Sequence, residues 1–88
     1  MMIPAQCRAA RALLDWSQQD LADRSMVGNA TIRNFEAGRS EPRHAILEAL
    51  RRTFETAGIE FTIDPDKHSK IRPDVIRVGV VLRVKPSR

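Results

Sequence analysis

At 88 residues, with a formal charge of +4 and a pI near 10.2, the chain fits one small basic domain with an appendage. A single cysteine rules out an internal disulfide, and Cys7, His44 and His68 are not spaced for a zinc site, so no metal and no cofactor is expected. The N-terminus lacks the apolar core and cleavage pattern of a signal peptide, and no apolar run approaches the ~20 residues of a membrane span, so a reducing cytoplasm and no membrane contact are expected.

Pro4 is placed for the first turn of a helix over residues 4–14. Cys7, Ala10 and Leu14 fall three and four apart and make one apolar stripe, flanked by Arg8 and Arg11. Cys7 reads as a small buried hydrophobe rather than a reactive thiol. Trp16 follows the helix and reads as core packed under the second helix, not as a base-stacking side chain.

Ser17 with Asp20 three residues later is a capping-box pattern. It opens a short helix with Leu21 and Ala22 on the buried side. Met26-Val27-Gly28 is a short apolar turn with Val27 tucked into the core. A second short helix begins at Asn29, points Ile32 and Phe35 inward, and ends at Gly38 as a left-handed cap. Between the inward residues lie Asn29, Ala30, Arg33, Asn34 and Ala37, a face of amides, small side chains and one guanidinium. That set suits base edges in a DNA major groove: Asn for adenine, Arg for guanine, and the Ala30 methyl for the thymine methyl.

Arg39, Ser40 and Arg43 lie in a polar connection around Pro42 and can reach phosphate oxygens. A helix over 43–57 follows, with Ile46, Ala49, Leu50, Thr53, Phe54 and Ala57 inward and Gly58 as its cap. The period then changes from helix to strand. Residues 59–63 alternate apolar and polar, 64–70 form a charged, turn-rich connection, and 75–84 are rich in β-branched residues. The two strands are expected to pair as a hairpin. Ile59, Phe61 and Ile63 on one strand, with Val78, Val80, Leu82 and Val84 on the other, are more apolar surface than a lone hairpin shows to water. The hairpin must therefore pack on its own helices, on a second copy or on another protein, and pairing with a second copy is the favoured expectation. From Lys67 onward, Lys67, Lys70, Arg72, Arg77, Arg83, Lys85 and Arg88 oppose only Asp74, a bias that serves DNA affinity or, equally, discourages edge-to-edge aggregation of the strands.

The Trp16-Ser17-Gln18 run, Leu21-Ala22, Val27, Ala30-Thr31-Ile32 and Phe35-Glu36-Ala37-Gly38-Arg39, continued by Pro42 and the apolar helix after it, resemble the helix-turn-helix of the Cro/C1-type (XRE) repressor family. The resemblance covers roughly the first two-thirds of the chain. It implies a mainly α fold: a lambda-repressor-like helix-turn-helix bundle of four to five helices with a C-terminal β-hairpin. Residues 1–58 would be the DNA-binding domain and 59–88 a two-strand dimerisation or interaction appendage. It also implies a structural pair, Arg11 with Glu36, that ties the first helix to the third and orients the recognition helix. The chain departs from the family at Met26, where the usual residue is glycine in a left-handed turn. Methionine there costs about 1 kcal/mol if the geometry is kept, and Gly28 offers another place to bend.

The function implied is a sequence-specific double-stranded-DNA-binding transcription regulator, expected to be a repressor that reads an inverted repeat as a homodimer. Gln18, at a helix start, is expected to meet a phosphate through its backbone N–H and a base through its side chain. Asn29, Ala30, Arg33 and Asn34 are the other base contacts, and Arg39, Ser40 and Arg43 the other phosphate contacts. The expected location is the cytoplasm, on the nucleoid when bound to DNA. The alternative is an antitoxin-like or adaptor protein whose C-terminal strands bind a toxin or another protein by strand addition. No nucleophile–base pair, phosphate loop or metal constellation argues for an enzyme.

Overall fold

The computed structural model describes residues 2–62 and 79–82, which form four helices and one antiparallel strand pair. Each helix boundary has a local cause. Pro4 opens α1 (Pro4–Leu14), where a missing N–H leaves no helical bond unmade, and Oε1 of Gln6 accepts from the Ile3 N–H at 3.0 Å. The helix closes on Asp15 in the left-handed region (φ 59°), a place usually given to glycine. Trp16 N–H donates to the Arg11 carbonyl at 2.9 Å and Asp15 N–H to that of Ala12 at 3.2 Å.

α2 (Gln18–Ser25) starts with the expected capping box. Ser17 Oγ accepts from the Asp20 N–H and Asp20 Oδ2 from the Ser17 N–H, each at 2.9 Å. The Ser17 backbone bond, then the bond with its hydroxyl, holds the Asp20 carboxyl below the ordinary range. At the other end Met26 is left-handed (φ 62°) and 87% exposed, while Gly28 has an ordinary φ of −61°. The turn thus keeps the geometry that usually goes with glycine, and the strain sits on Met26 rather than moving to Gly28.

α3 (Asn29–Glu36) ends in a Schellman arrangement. Gly38 takes φ 75°, its N–H donates to the Phe35 carbonyl at 3.0 Å, and Arg39 N–H donates to that of Asn34 at 2.8 Å. α4 (His44–Thr56) buries Leu47, Leu50 and Phe54, with Ile46 and Ala49 only partly covered. The inward face is therefore turned toward Leu47 relative to the expected one. Met2 is buried too and lines the same surface hollow as Leu47, so the N-terminal segment covers that end of α4.

β1 (Ile59–Thr62) and β2 (Gly79–Leu82) pair with Ile59 opposite Leu82 and Phe61 opposite Val80. β1 lies against α4 and β2 against α1. Phe61 meets Phe54 edge-on with ring centres 5.9 Å apart, and Phe54 stacks on Trp16 at 5.8 Å. The strand pair is thus packed on its own helices instead of standing free. Ile59 is 3% exposed and belongs to the chain's own core, which removes it from the surface open to a second copy. Phe61 and Val80 pack partly buried against the same core. Ile63, Val78 and Val84, the connection over 64–70, and Lys67, Lys70, Arg72, Arg77, Arg83, Lys85 and Arg88 lie outside the described residues.

Candidate nucleic-acid interface

The face of α3 follows from its two anchors. Ile32 and Phe35 are buried in the core, so the helical period turns Ala30, Arg33 and Ala37 to solvent and leaves Asn29 and Asn34 half-buried. α3 thus presents the five residues singled out in the sequence along its uncovered side.

The end of α3 is fixed by a carboxylate. Glu36 is 4% exposed, and each of its oxygens accepts two bonds. Oε1 takes Arg11 Nη2 at 2.7 Å and Gln18 Nε2 at 3.0 Å; Oε2 takes Arg11 Nε at 2.8 Å and the Cys7 thiol at 3.0 Å. Four donors fill the four acceptor positions of a carboxylate, which is what a buried charge requires. Burial pushes the Glu36 carboxyl up, but the bonds from Arg11, Cys7 and Gln18 outweigh it and hold the group below the ordinary range. The bond to Glu36 also keeps the Arg11 guanidinium charged. Burial first, then the bond to Glu36, pushes the Cys7 thiol far up, so it acts as a neutral donor. Arg11 donates further to the Trp16 carbonyl at 3.0 Å, and Arg8 donates to the backbone carbonyl of Glu36. α1, the start of α2 and the end of α3 therefore meet at one ion pair.

The start of α3 is held differently. Asn29 Nδ2 donates to Gln19 Oε1 at 3.2 Å, and Gln19 Nε2 donates to Asp23 Oδ1 at 2.8 Å. The first bond crosses from α3 to α2 on the exposed side, and the second lies within α2.

Arg33, Arg39 and Arg43 are exposed and make no ion pair among the described residues. Ser40 is exposed beside Arg39 in the segment after α3. Arg43 caps α4 with its carbonyl, which accepts from the Ile46 and Leu47 N–H groups at 3.0 and 3.1 Å, and its side chain stays outside. Gln18 commits one side-chain N–H to Glu36, and its backbone N–H stands at the start of α2. Sequence reasoning missed the Cys7, Gln18 and Gln19 contacts, because each crosses between elements and leaves no local spacing to read. Among the described residues no cluster of His, Cys, Asp and Glu could hold a metal ion, and no helix is long and apolar enough to cross a membrane.

The arrangement offers an amide- and guanidinium-bearing helix face, cations beside it that form no ion pair among the described residues, and a buried ion pair behind it. A family model described as helix-turn-helix matches residues 8–61, more than half of the chain. No curated protein matches it.

Proposed function

The chain belongs to the Cro/C1-type helix-turn-helix (XRE) family of DNA-binding transcription regulators, and from that premise we propose a repressor that reads an inverted repeat as a two-fold dimer. The observation that carries the reading is the outward row of α3, held at its far end by the buried Arg11–Glu36 pair. Asn29, Ala30, Arg33 and Asn34 meet base edges in the major groove. Gln18, through its backbone N–H, and Arg39, Ser40 and Arg43 meet phosphates and set the register. Every one of these groups is uncovered or half-covered in the free protein, so docking requires no unfolding.

Residues 1–58 supply the DNA-binding unit and 59–88 the dimer element. Support for the second assignment comes from the apolar content of the strands. Phe61 and Val80 remain only half-buried after packing on the helices. A two-fold dimer through this region sets two copies of α3 about one DNA turn, ~34 Å, apart. The cytoplasm is the proposed place of action.

Selection of binding sites from random double-stranded DNA by the purified protein tests the reading. An enriched inverted repeat with half-sites centred about 10 base pairs apart supports it. A single half-site overturns the dimer, and no enrichment overturns sequence-specific binding.

A further inference from the structure

The last turn of α2 and the C-terminal half of α4 border a hollow of about 390 Å³, lined by Trp16, Arg24, Arg52, Thr53, Thr56 and Ala57. Two guanidinium groups stand at it, and no carboxylate lines it. Neither arginine forms an ion pair among the described residues. The acids that could answer them are engaged elsewhere. Asp20, one turn back from Arg24, has its carboxylate on the Ser17 N–H. Glu55, near Arg52 on α4, pairs with Arg51 at 2.9 Å, and Glu48 lies toward His44 at 3.9 Å. Arg24 is nevertheless held in place. Its guanidinium carbon lies 4.5 Å from the centre of the Trp16 ring, a cation–π contact, and Trp16 stacks in turn on the buried Phe54 at 5.8 Å. The contact fixes the guanidinium while its N–H donors have no acceptor among the described residues.

We propose that this hollow is a binding site for a small organic carboxylate with a flat apolar body. The planar fork of a guanidinium matches a carboxylate through two parallel N–H bonds, and a fork already held on an aromatic ring loses little freedom in making them. Arg24 supplies that fork from α2, and Arg52 adds a second cation from α4. Two like charges bordering one hollow repel each other, and an anion between them replaces repulsion with attraction. The rest of the lining sets the class of ligand. The Trp16 ring and the Ala57 methyl are apolar, and the Thr53 hydroxyl is spent on the Ala49 carbonyl at 2.8 Å. A bare inorganic anion leaves that surface unused, whereas a ring on a short chain covers it. The volume falls at the lower end of the range for small-molecule sites. The place argues against the DNA backbone as the anion. Arg24 and Arg52 stand roughly 9 and 13 Å along their helices from Gln18 and Arg43, the residues proposed for phosphates. The site thus goes beyond DNA recognition and does not depend on it.

The full chain carries its own reporter, because Trp16 is its single tryptophan. The probes are phenylacetate, 3-phenylpropionate and 4-phenylbutyrate, which set a ring at increasing distance from the carboxylate. At least one should change Trp16 emission saturably, with a midpoint below about 1 mM. The neutral amide of that probe should bind about tenfold more weakly, and so should inorganic phosphate. Arg52 is exposed, so Arg52→Gln leaves the core intact, which a thermal melt verifies, and it should weaken the carboxylate by about tenfold. Arg24→Lys keeps a cation but removes the fork, and should weaken it by about three- to tenfold. An excess of random-sequence duplex DNA should leave the midpoint unchanged. No saturable change with any of the three probes overturns the site, and so does full affinity in Arg52→Gln. An amide that binds as well as its carboxylate, or phosphate that binds as well as the best probe, overturns the class of ligand. Displacement of the probe by the duplex assigns the two arginines to DNA and overturns the proposal.

Discussion

The side-chain amide of Gln18, the first residue of α2, donates to Oε1 of Glu36, the last residue of α3, at 3.0 Å. The two helices of the turn are thus joined at their distant ends as well as through the turn itself. A hydrogen bond to a charged group is worth about 1.5–3 kcal/mol, and the remaining donors on Glu36 place this one at the low end. Gln18→Ala should therefore cost about 1–2 kcal/mol in chemical denaturation and leave the selected DNA sequence unchanged. A changed base preference with unchanged stability would return the Gln18 side chain to the list of base contacts.

Glu36 also makes stability depend on acid. Its carboxyl is held below the ordinary value of 4.5 despite burial, through bonds that exist only in the folded chain. The folded state then binds fewer protons than the unfolded one as pH falls through that region. Its contribution is fully present above about pH 5 and is lost as pH drops through the folded value. Asp20, depressed by its capping bonds, acts in the same direction. Melting temperature should be level near neutrality and fall below about pH 4.5. Glu36→Gln should lower the neutral plateau and make the acid decline shallower, with Asp20 supplying part of what remains. An identical acid decline in wild type and Glu36→Gln would show that the buried carboxylate is not the titrating group.

Met26 carries strain that its surroundings do not use. The left-handed conformation costs a residue with a side chain about 1–2 kcal/mol, and at 87% exposure the methionine recovers little by packing. Glycine removes the strain but gives the unfolded chain more freedom, an offset of about 0.5–1 kcal/mol. Met26→Gly should stabilise the protein by about 0.5–1 kcal/mol, raising its melting temperature without altering DNA selection. A destabilised variant would mean that Met26 packs in a way its exposure does not indicate.

What was legible in the sequence was local or periodic. Ser17 and Asp20 mark a helix start because their mutual bonds span three residues, and Gly38 marks a stop because its left-handed backbone suits glycine. Ile32 and Phe35 fixed the face of α3 by spacing alone. Asp15 was not legible as a left-handed cap, since an aspartate at a helix end has many ordinary roles. Leu47 was missed because helical period alone cannot foresee that Met2 folds over that end of α4. Ile59, Phe61 and Val80 pack against the helical core. Which surface covers such strand residues is a tertiary matter, and for Ile59 it is the chain's own helices. Of the polar contacts, Arg11 with Glu36 came from family resemblance, while Gln18 and Cys7 on the same carboxylate came only from the fold.

Arg33 and Arg43 differ in position, and so their losses should differ in kind. Arg33 projects from the middle of α3, where a guanidinium can grip a guanine with two bonds worth about 1–3 kcal/mol of discrimination. Arg33→Ala should relax the preference at one position of each half-site. Arg43 precedes α4 and uses only its carbonyl as a cap, so Arg43→Ala should leave the fold intact. In the proposed complex its side chain meets a phosphate, which carries no sequence information. Arg43→Ala should weaken all duplexes alike and make the dependence of log affinity on log salt shallower. Each lost phosphate contact changes that slope by about 0.9. A monomer on a half-site loses one contact, whereas a two-fold dimer on the full repeat loses one from each copy, a change of about 1.8. Salt titrations of wild type and Arg43→Ala on the full repeat and on an isolated half-site therefore measure the contact and count the protomers together. An unchanged slope on both duplexes would remove Arg43 from the phosphate contacts, and a change of about 0.9 on the full repeat would argue for one protomer per site.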